Sequence, residues 1–245
     1  MATLYSSVGH GGGSGYLASL ILFGVATALM KPTSLTLNIL VATIATVRFY
    51  RAGFFSWRIF LPFAVSSIPF AFLGGALTLP STIYQKIVGA VLIFAAYRLW
   101  VSFAKLQAQT QADIKPVPIP LAVLLGACIG FLSGLTGVGG GIFLSPLVLL
   151  VGWAETRQMS GVAAAFILVN SVAGLGGQIY YTHQFPVQPG AIYLWGAAAV
   201  VGGLIGTELG RRRLAPMTLR RVLAVVLVIA GVKLMLTGVK LTWFD

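Results

Sequence analysis

Stretches of about twenty apolar residues follow one another along almost the whole chain, near 33–50, 59–79, 83–104, 156–181, 188–208 and 217–239. Two longer ones, about 3–29 and 118–152, are interrupted by glycine blocks. Roughly twenty such residues, wound as a helix, span a hydrocarbon core of about 30 Å. Only 8% of the 245 residues are charged, against about a quarter in an average soluble domain. A chain so poor in charge cannot cover a water-facing surface. The fold class expected is an all-α polytopic membrane protein with no separate soluble domain.

The formal net charge of +12 would suggest nucleic acid or a membrane surface. Here the basic residues gather at the ends of apolar stretches, so they read as topology signals and contacts to membrane lipids, with no nucleic-acid partner. The cluster "RRRLAPMTLRR" (211–221) fits a cytoplasmic anchor on anionic lipids. Cys128 is the single cysteine, which rules out an intrachain disulfide. Met1–Ser7 lacks the basic start of a cleavable signal peptide.

The two glycine blocks are related. Gly9-His10-Gly11-Gly12-Gly13 matches Gly137-Val138-Gly139-Gly140-Gly141. In the same alignment Asn38 falls on Asn170, and each is followed eleven residues later by an aromatic, Phe49 or Tyr181. "KIVGAVLIFAAYRL" (86–99) then runs against "RVLAVVLVIAGVKL" (221–234). The chain divides into a first transmembrane repeat over 1–104, a linker over 105–117 and a second repeat over 118–245. Such repeats occur in transporters whose halves meet around a site near the midplane.

Charge orients the halves. With all eight segments crossing, the sixteen basic residues split evenly, against the positive-inside tendency. If each glycine-bearing segment enters and returns, one side keeps only Lys31, Lys86, Lys233 and Lys240 and the other collects twelve. Length agrees: residues 120–152 as one straight helix would measure roughly 50 Å, too long for a core of about 30 Å. Each half is therefore read as a broken, re-entrant helix pair plus three transmembrane helices. Three crossings are odd, so the second half is inverted relative to the first. Eight full crossings with severe tilts is the alternative. Trp57, Trp100, Trp153 and Trp243 fall near expected helix ends, where interfacial aromatics gather; Trp195 lies deeper.

Backbone freed from helical hydrogen bonding is tolerated in a membrane only where protein buries it or a cavity hydrates it. Glycine lets the chain turn sharply there. The half-helix that starts after the break offers amide donors and the positive end of its dipole to an anion. Two such ends brought together would form a paired cradle; close helix packing by small residues is the competing reading. Ser6, Ser7 and Ser14 flank the first block, and Ser133, Thr136 and Ser145 the second. Their hydroxyls either donate to an oxyanion or bond back to their own helix. Asn38 and Asn170 are either interhelical links or site donors. His10 stands where the second half has Val138; it either couples transport to protons or packs as a neutral imidazole. The candidate substrate-binding set is Ser7, Gly9, His10, Gly11, Gly12, Gly13, Ser14, Asn38, Thr136, Gly137, Gly139, Gly140, Gly141 and Asn170.

Acidic residues number four: Asp113, Glu155, Glu208 and Asp245. Cation pathways normally need intramembrane carboxylates, so a cation pump is not expected. No metal cluster, catalytic triad or phosphate-binding loop is evident. The "GHGGG" block lacks the nucleophile elbow that would make it an esterase signature. No cofactor and no enzymatic activity are expected.

The stretch "FLSGLTGVGGGIFLSPLVLLVG" (131–152), followed by "GVAAAFILVNSVAGLGG" (161–177), resembles the TauE/SafE sulfite-exporter family. The resemblance covers most of the chain, since the first half carries the diverged repeat. It implies a carrier in the bacterial cytoplasmic (inner) membrane for sulfur-containing anions such as sulfite or organosulfonates. Two departures stand out. His10 interrupts the first glycine block, and only about seven residues precede that block, against about seventeen between Pro120 and Gly137.

Together these features describe a secondary transporter for a sulfur-containing oxyanion. Rocking of one half against the other would give alternating access, with His10 tuning charge. The alternatives are a passive anion channel, a carrier for another small organic anion and a non-transporting membrane subunit. The sequence leaves the coupling ion and an oligomeric state open.

Overall fold

The computed structural model describes residues 2–6, 12–106, 115–183, 189–212 and 217–237, and every regular element among them is an α-helix. In chain order they are α1 (Ala2–Ser6), α2 (Gly13–Leu22), α3 (Thr27–Arg51), α4 (Trp57–Ala76) and α5 (Ser81–Leu106). Then come α6 (Ile119–Thr136), α7 (Gly141–Val151), α8 (Thr156–Thr182), α9 (Pro189–Arg212) and α10 (Met217–Thr237). Five of them hold a segment long and apolar enough to cross a bilayer: α3, α4, α6, α8 and α9. The outer surface stays apolar, with Leu61, Val65, Leu73, Leu194, Val201 and Ile205 all exposed, as contact with lipid tails requires. This is a multi-pass membrane protein.

Helix starts and stops follow the glycines and prolines. Gly137 ends α6 in a left-handed conformation, and Gly24 turns the chain between α2 and α3. The start of α3 differs from the sequence expectation. The helix begins at Thr27, not near residue 33, and runs through Pro32. Pro32 stands in the second turn, beyond the partnerless first amides, so it removes the bond that the Ala28 carbonyl would otherwise accept. Lys31, expected at a membrane face, is drawn into the helix, and it is buried.

The two arms of the second break are unequal. α6 has 18 residues and α7 has 11, about 27 Å and 16 Å at 1.5 Å per residue. Their outer ends meet: the Lys115 amide donates to the Gly152 carbonyl at 3.0 Å.

α6 lies along α4 in parallel, with Gly126 against Phe63, Gly130 against Ser67 and Gly134 against Ala71. Glycine every fourth residue lets the backbones approach closely, the usual basis of helix association in lipid. α3 and α8 cross antiparallel, since Leu35 meets Gly174 while Phe49 meets Gly161.

The halves are interleaved. α4 packs on α6 and α8, while α9 packs on α1 and α3; α3 meets α8, and α5 meets α10. Exchanging each of α1–α5 for the helix five places later leaves this main pairing unchanged. The buried clusters follow the same division. One joins α4, α6, α7 and α8 around Phe63 and Phe166, another joins α1, α2, α3 and α9 around Val41, and a third runs along α5, α10 and α2.

Two of the tryptophans expected at the interface, Trp57 and Trp100, are exposed. Trp153 instead is buried against Phe63, where it closes the α7–α8 turn onto α4. Trp243 lies outside the described residues.

Candidate functional site

Between α6 and α7 the chain makes a turn that only glycine adopts readily. Gly137, Gly139 and Gly140 all have φ between 82° and 90°, a left-handed region that costs other residues about 1–2 kcal/mol each. Gly137 donates to the Ser133 carbonyl to close α6, and the Gly140 carbonyl accepts from Phe143 and Leu144 to open α7. Among the described residues no backbone carbonyl accepts from the amides of Val138 through Ile142. These donors sit at the positive end of the α7 dipole.

The first break is built alike where it is described. Gly12, at φ 101°, caps α2 and accepts from the Tyr16 amide at 2.8 Å. Ser7, Gly9, His10 and Gly11 lie outside the described residues. The Tyr16 ring lies against Gly12 and also lines a cavity of about 480 Å³ between α1, α2, α3 and α9, with Leu37 and Trp195 on its wall.

The two breaks touch. Gly13 lies directly against the Val138 carbonyl, too close for any side chain. Ser34 of α3 shares its hydroxyl proton between the Gly137 carbonyl at 2.7 Å and the Gly13 carbonyl at 3.3 Å. One turn on, Asn38 Nδ2 reaches the Gly137 carbonyl at 3.4 Å. From the opposite side α8 brings Ile167 and Ser171 against Gly139. Asn170, one turn beyond Ile167 and one before Gly174, shares that inward face.

What the cluster lacks is partners. Asn38 Oδ1, both polar atoms of the Asn170 amide, Ser171 Oγ and Ser133 Oγ are buried with none. Each such group normally costs about 1–3 kcal/mol. Several such groups gathered in one buried cluster call for an explanation that packing alone does not give.

The flanking hydroxyls divide. Thr136 donates back to its own Leu132 carbonyl at 2.6 Å, and Ser14 donates to the Tyr5 hydroxyl at 2.8 Å. Ser133, Ser145 and Ser6 find no partner. Of the expected residues, Gly12, Gly13, Ser14, Asn38, Gly137, Gly139, Gly140, Gly141 and Asn170 come together at the α3–α8 crossing or on the adjoining first turns of α2 and α7. Thr136 ends α6 beside them, its backbone carbonyl held by Tyr84 at 3.0 Å. Ser34, Ser171, Tyr84 and Lys31 escape the sequence reading. The available signal was helical spacing: Lys31, Ser34 and Asn38 stand at i, i+3 and i+7 on one face of α3.

Ser34→Ala leaves the two break carbonyls without their shared donor. It should lower the melting temperature of the purified protein by about 2–8 °C, read by thermal unfolding in detergent.

The chain matches the family model described as sulfite exporter TauE/SafE over residues 1–234. It is 37% identical over 235 residues to the probable membrane transporter protein y4hK of Sinorhizobium fredii, covering 96% of this chain and 94% of that protein. A probable membrane transporter protein of Methanocaldococcus jannaschii is 26% identical over 174 residues, 66% of this chain and 63% of its own length. The sulfite exporter TauE/SafE family protein 3 of Arabidopsis thaliana is 34% identical over 90 residues, 37% of this chain and 18% of that protein. No solved structure matches.

Proposed function

We propose that this chain, which belongs to the sulfite exporter TauE/SafE family, is a secondary transporter that carries a sulfur-containing oxyanion, sulfite or an organosulfonate, across the inner membrane by alternating access. The observation that carries this reading is the meeting of two glycine breaks beside buried amides and hydroxyls that lack partners. Donors of this kind suit an oxyanion, which accepts several hydrogen bonds at once. The α6–α7 pair, closed at its mouth by Lys115 and Gly152, supports a re-entrant arm. The exchangeable helix pairing supports two inverted repeats. Because the halves are interleaved, the bodies that rock are α4, α6, α7 and α8 against α1, α2, α3 and α9, not the two sequence halves.

Proton coupling through His10 and assembly into an oligomer belong to the same proposal. No cofactor and no catalytic step are assigned. The deciding experiment is sulfite flux in liposomes holding the purified protein, against sulfate and chloride, with and without a proton gradient. Saturable, sulfite-selective flux with counterflow is expected. A current that rises with concentration without saturating would favour a passive anion channel, and the absence of flux for any sulfur anion would overturn the substrate assignment.

A further inference from the structure

Lys31 is the one charged side chain among the described residues that is buried, 8% exposed. A lysine near the end of a membrane helix usually extends its ammonium outward to water. This one turns inward. Its Nζ donates to the Gly75 carbonyl at 2.8 Å and the Leu77 carbonyl at 3.0 Å, the last acceptors of α4. Its stem lies against the second break: a Cβ placed on Gly137 would be 3.1–3.3 Å from the Lys31 carbonyl, Cα and Cγ. The same α3 face carries Ser34 and Asn38, which bond the Gly137 carbonyl.

We propose that Lys31 supplies the positive charge of the anion site, its ammonium shared between the end of α4 and the bound oxyanion. This inference rests on the oxyanion reading above and names the residue that sets affinity and selectivity for charge. Two carbonyls at a helix C-terminus offer the equivalent of about half a negative charge, which only partly offsets a buried ammonium. Among the described residues no carboxylate pairs with Lys31, and Glu155 is exposed at the start of α8. One of its three N–H donors has no acceptor among the described residues. Because Cγ already lies beside Gly137, rotation about the remaining stem bonds carries Nζ toward the amides of the break. The unpartnered side chains of the cluster are neutral, so they solvate an anion without balancing its charge. In the alignment of Asn38 with Asn170, the position of Lys31 is occupied in the second half by Ala163.

A purely structural lysine would cap α4 and do nothing else, and Lys31→Gln separates the two roles. The glutamine amide still donates to carbonyls but carries no charge. In liposomes, Lys31→Gln should raise the half-saturating sulfite concentration at least about tenfold, while Lys31→Arg stays within about threefold of native. Lys31→Gln that melts as native does and transports with native half-saturation overturns the proposal. A second measurement needs only protein that folds. In native protein with ¹⁵N at the lysine Nζ, the signal absent from Lys31→Arg should shift saturably with added sulfite, and an unmoved signal also overturns the proposal. If the native protein carries no sulfur anion at all, the oxyanion reading itself fails. Native flux with an indifferent Lys31 removes this inference alone.

Discussion

Asn170→Leu should leave the protein at least as stable as native and abolish saturable sulfite uptake. The side chain is wholly buried, and neither its amide nitrogen nor its oxygen has a partner. Replacing an unsatisfied buried polar group by an apolar one of similar shape is neutral or stabilising, since the group itself costs about 1–3 kcal/mol. If the amide instead linked helices, the same substitution would lower the melting temperature. Asn38→Leu serves as the contrast, because Asn38 does hold the Gly137 carbonyl and its loss should destabilise. Uptake by Asn170→Leu is expected to fall about a hundredfold, the effect of losing roughly two hydrogen bonds to a charged ligand. The measurements are thermal unfolding in detergent and sulfite uptake into liposomes on the same preparation. Native stability with native uptake would remove Asn170 from the site.

Much of the secondary structure was legible because length and glycine speak directly in a membrane protein. The stretch 156–181 corresponds to α8 at Thr156–Thr182, and 83–104 to α5 at Ser81–Leu106. The break expected at Gly137–Gly141 lies between Thr136 and Gly141. Helix partners were not legible, for a physical reason. Lipid-facing and protein-facing sides are both apolar, so the periodicity that reveals a buried face in water is muted here. Val65 and Phe63 of α4 are equally hydrophobic, yet the first faces outward and the second is fully buried. Gly126, Gly130 and Gly134 carry the α4 contact through their missing side chains, a signal that requires knowing the neighbour. Lys31 was counted only as a charge at one membrane face, and the carbonyls at the end of α4 explain why it is drawn inside.

The site is divided in the same way. Asn38, Asn170 and the glycines are recognisable from their repeated positions. Ser34 and Ser171 are not: the alignment of Asn38 with Asn170 sets Ser34 on Phe166 and Ser171 on Ile39, so no repeat marks them. The two halves carry different polar neighbours around their glycine blocks. The proposed cradle of main-chain amides would tolerate this, because its donors do not depend on residue identity.

On that proposal, Gly13→Ala is a small change that strikes the contact between the two breaks. Gly13 has no strained φ of its own, so an alanine there suffers no conformational penalty. Its new Cβ, however, would overlap the Val138 carbonyl and lie 2.6 Å from Asn38 Nδ2. Relieving the overlap forces the two breaks apart and draws Ser34 away from at least one of the carbonyls it bridges. Overpacking of this kind costs about 1–3 kcal/mol, which lowers stability without preventing folding. Displacement of a binding constellation by about 1 Å can cost about a hundredfold in rate. Gly24→Ala is the control, since it introduces a methyl at φ 71° with nothing within 4 Å. It carries the left-handed penalty of about 1–2 kcal/mol but leaves the breaks in contact. Gly13→Ala should thus lose about two orders of magnitude of uptake, while Gly24→Ala, at comparable stability, keeps native uptake. Equal losses in both variants would mean that transport follows overall stability. Full uptake by Gly13→Ala would mean that the two breaks act separately and that contact between them is packing alone.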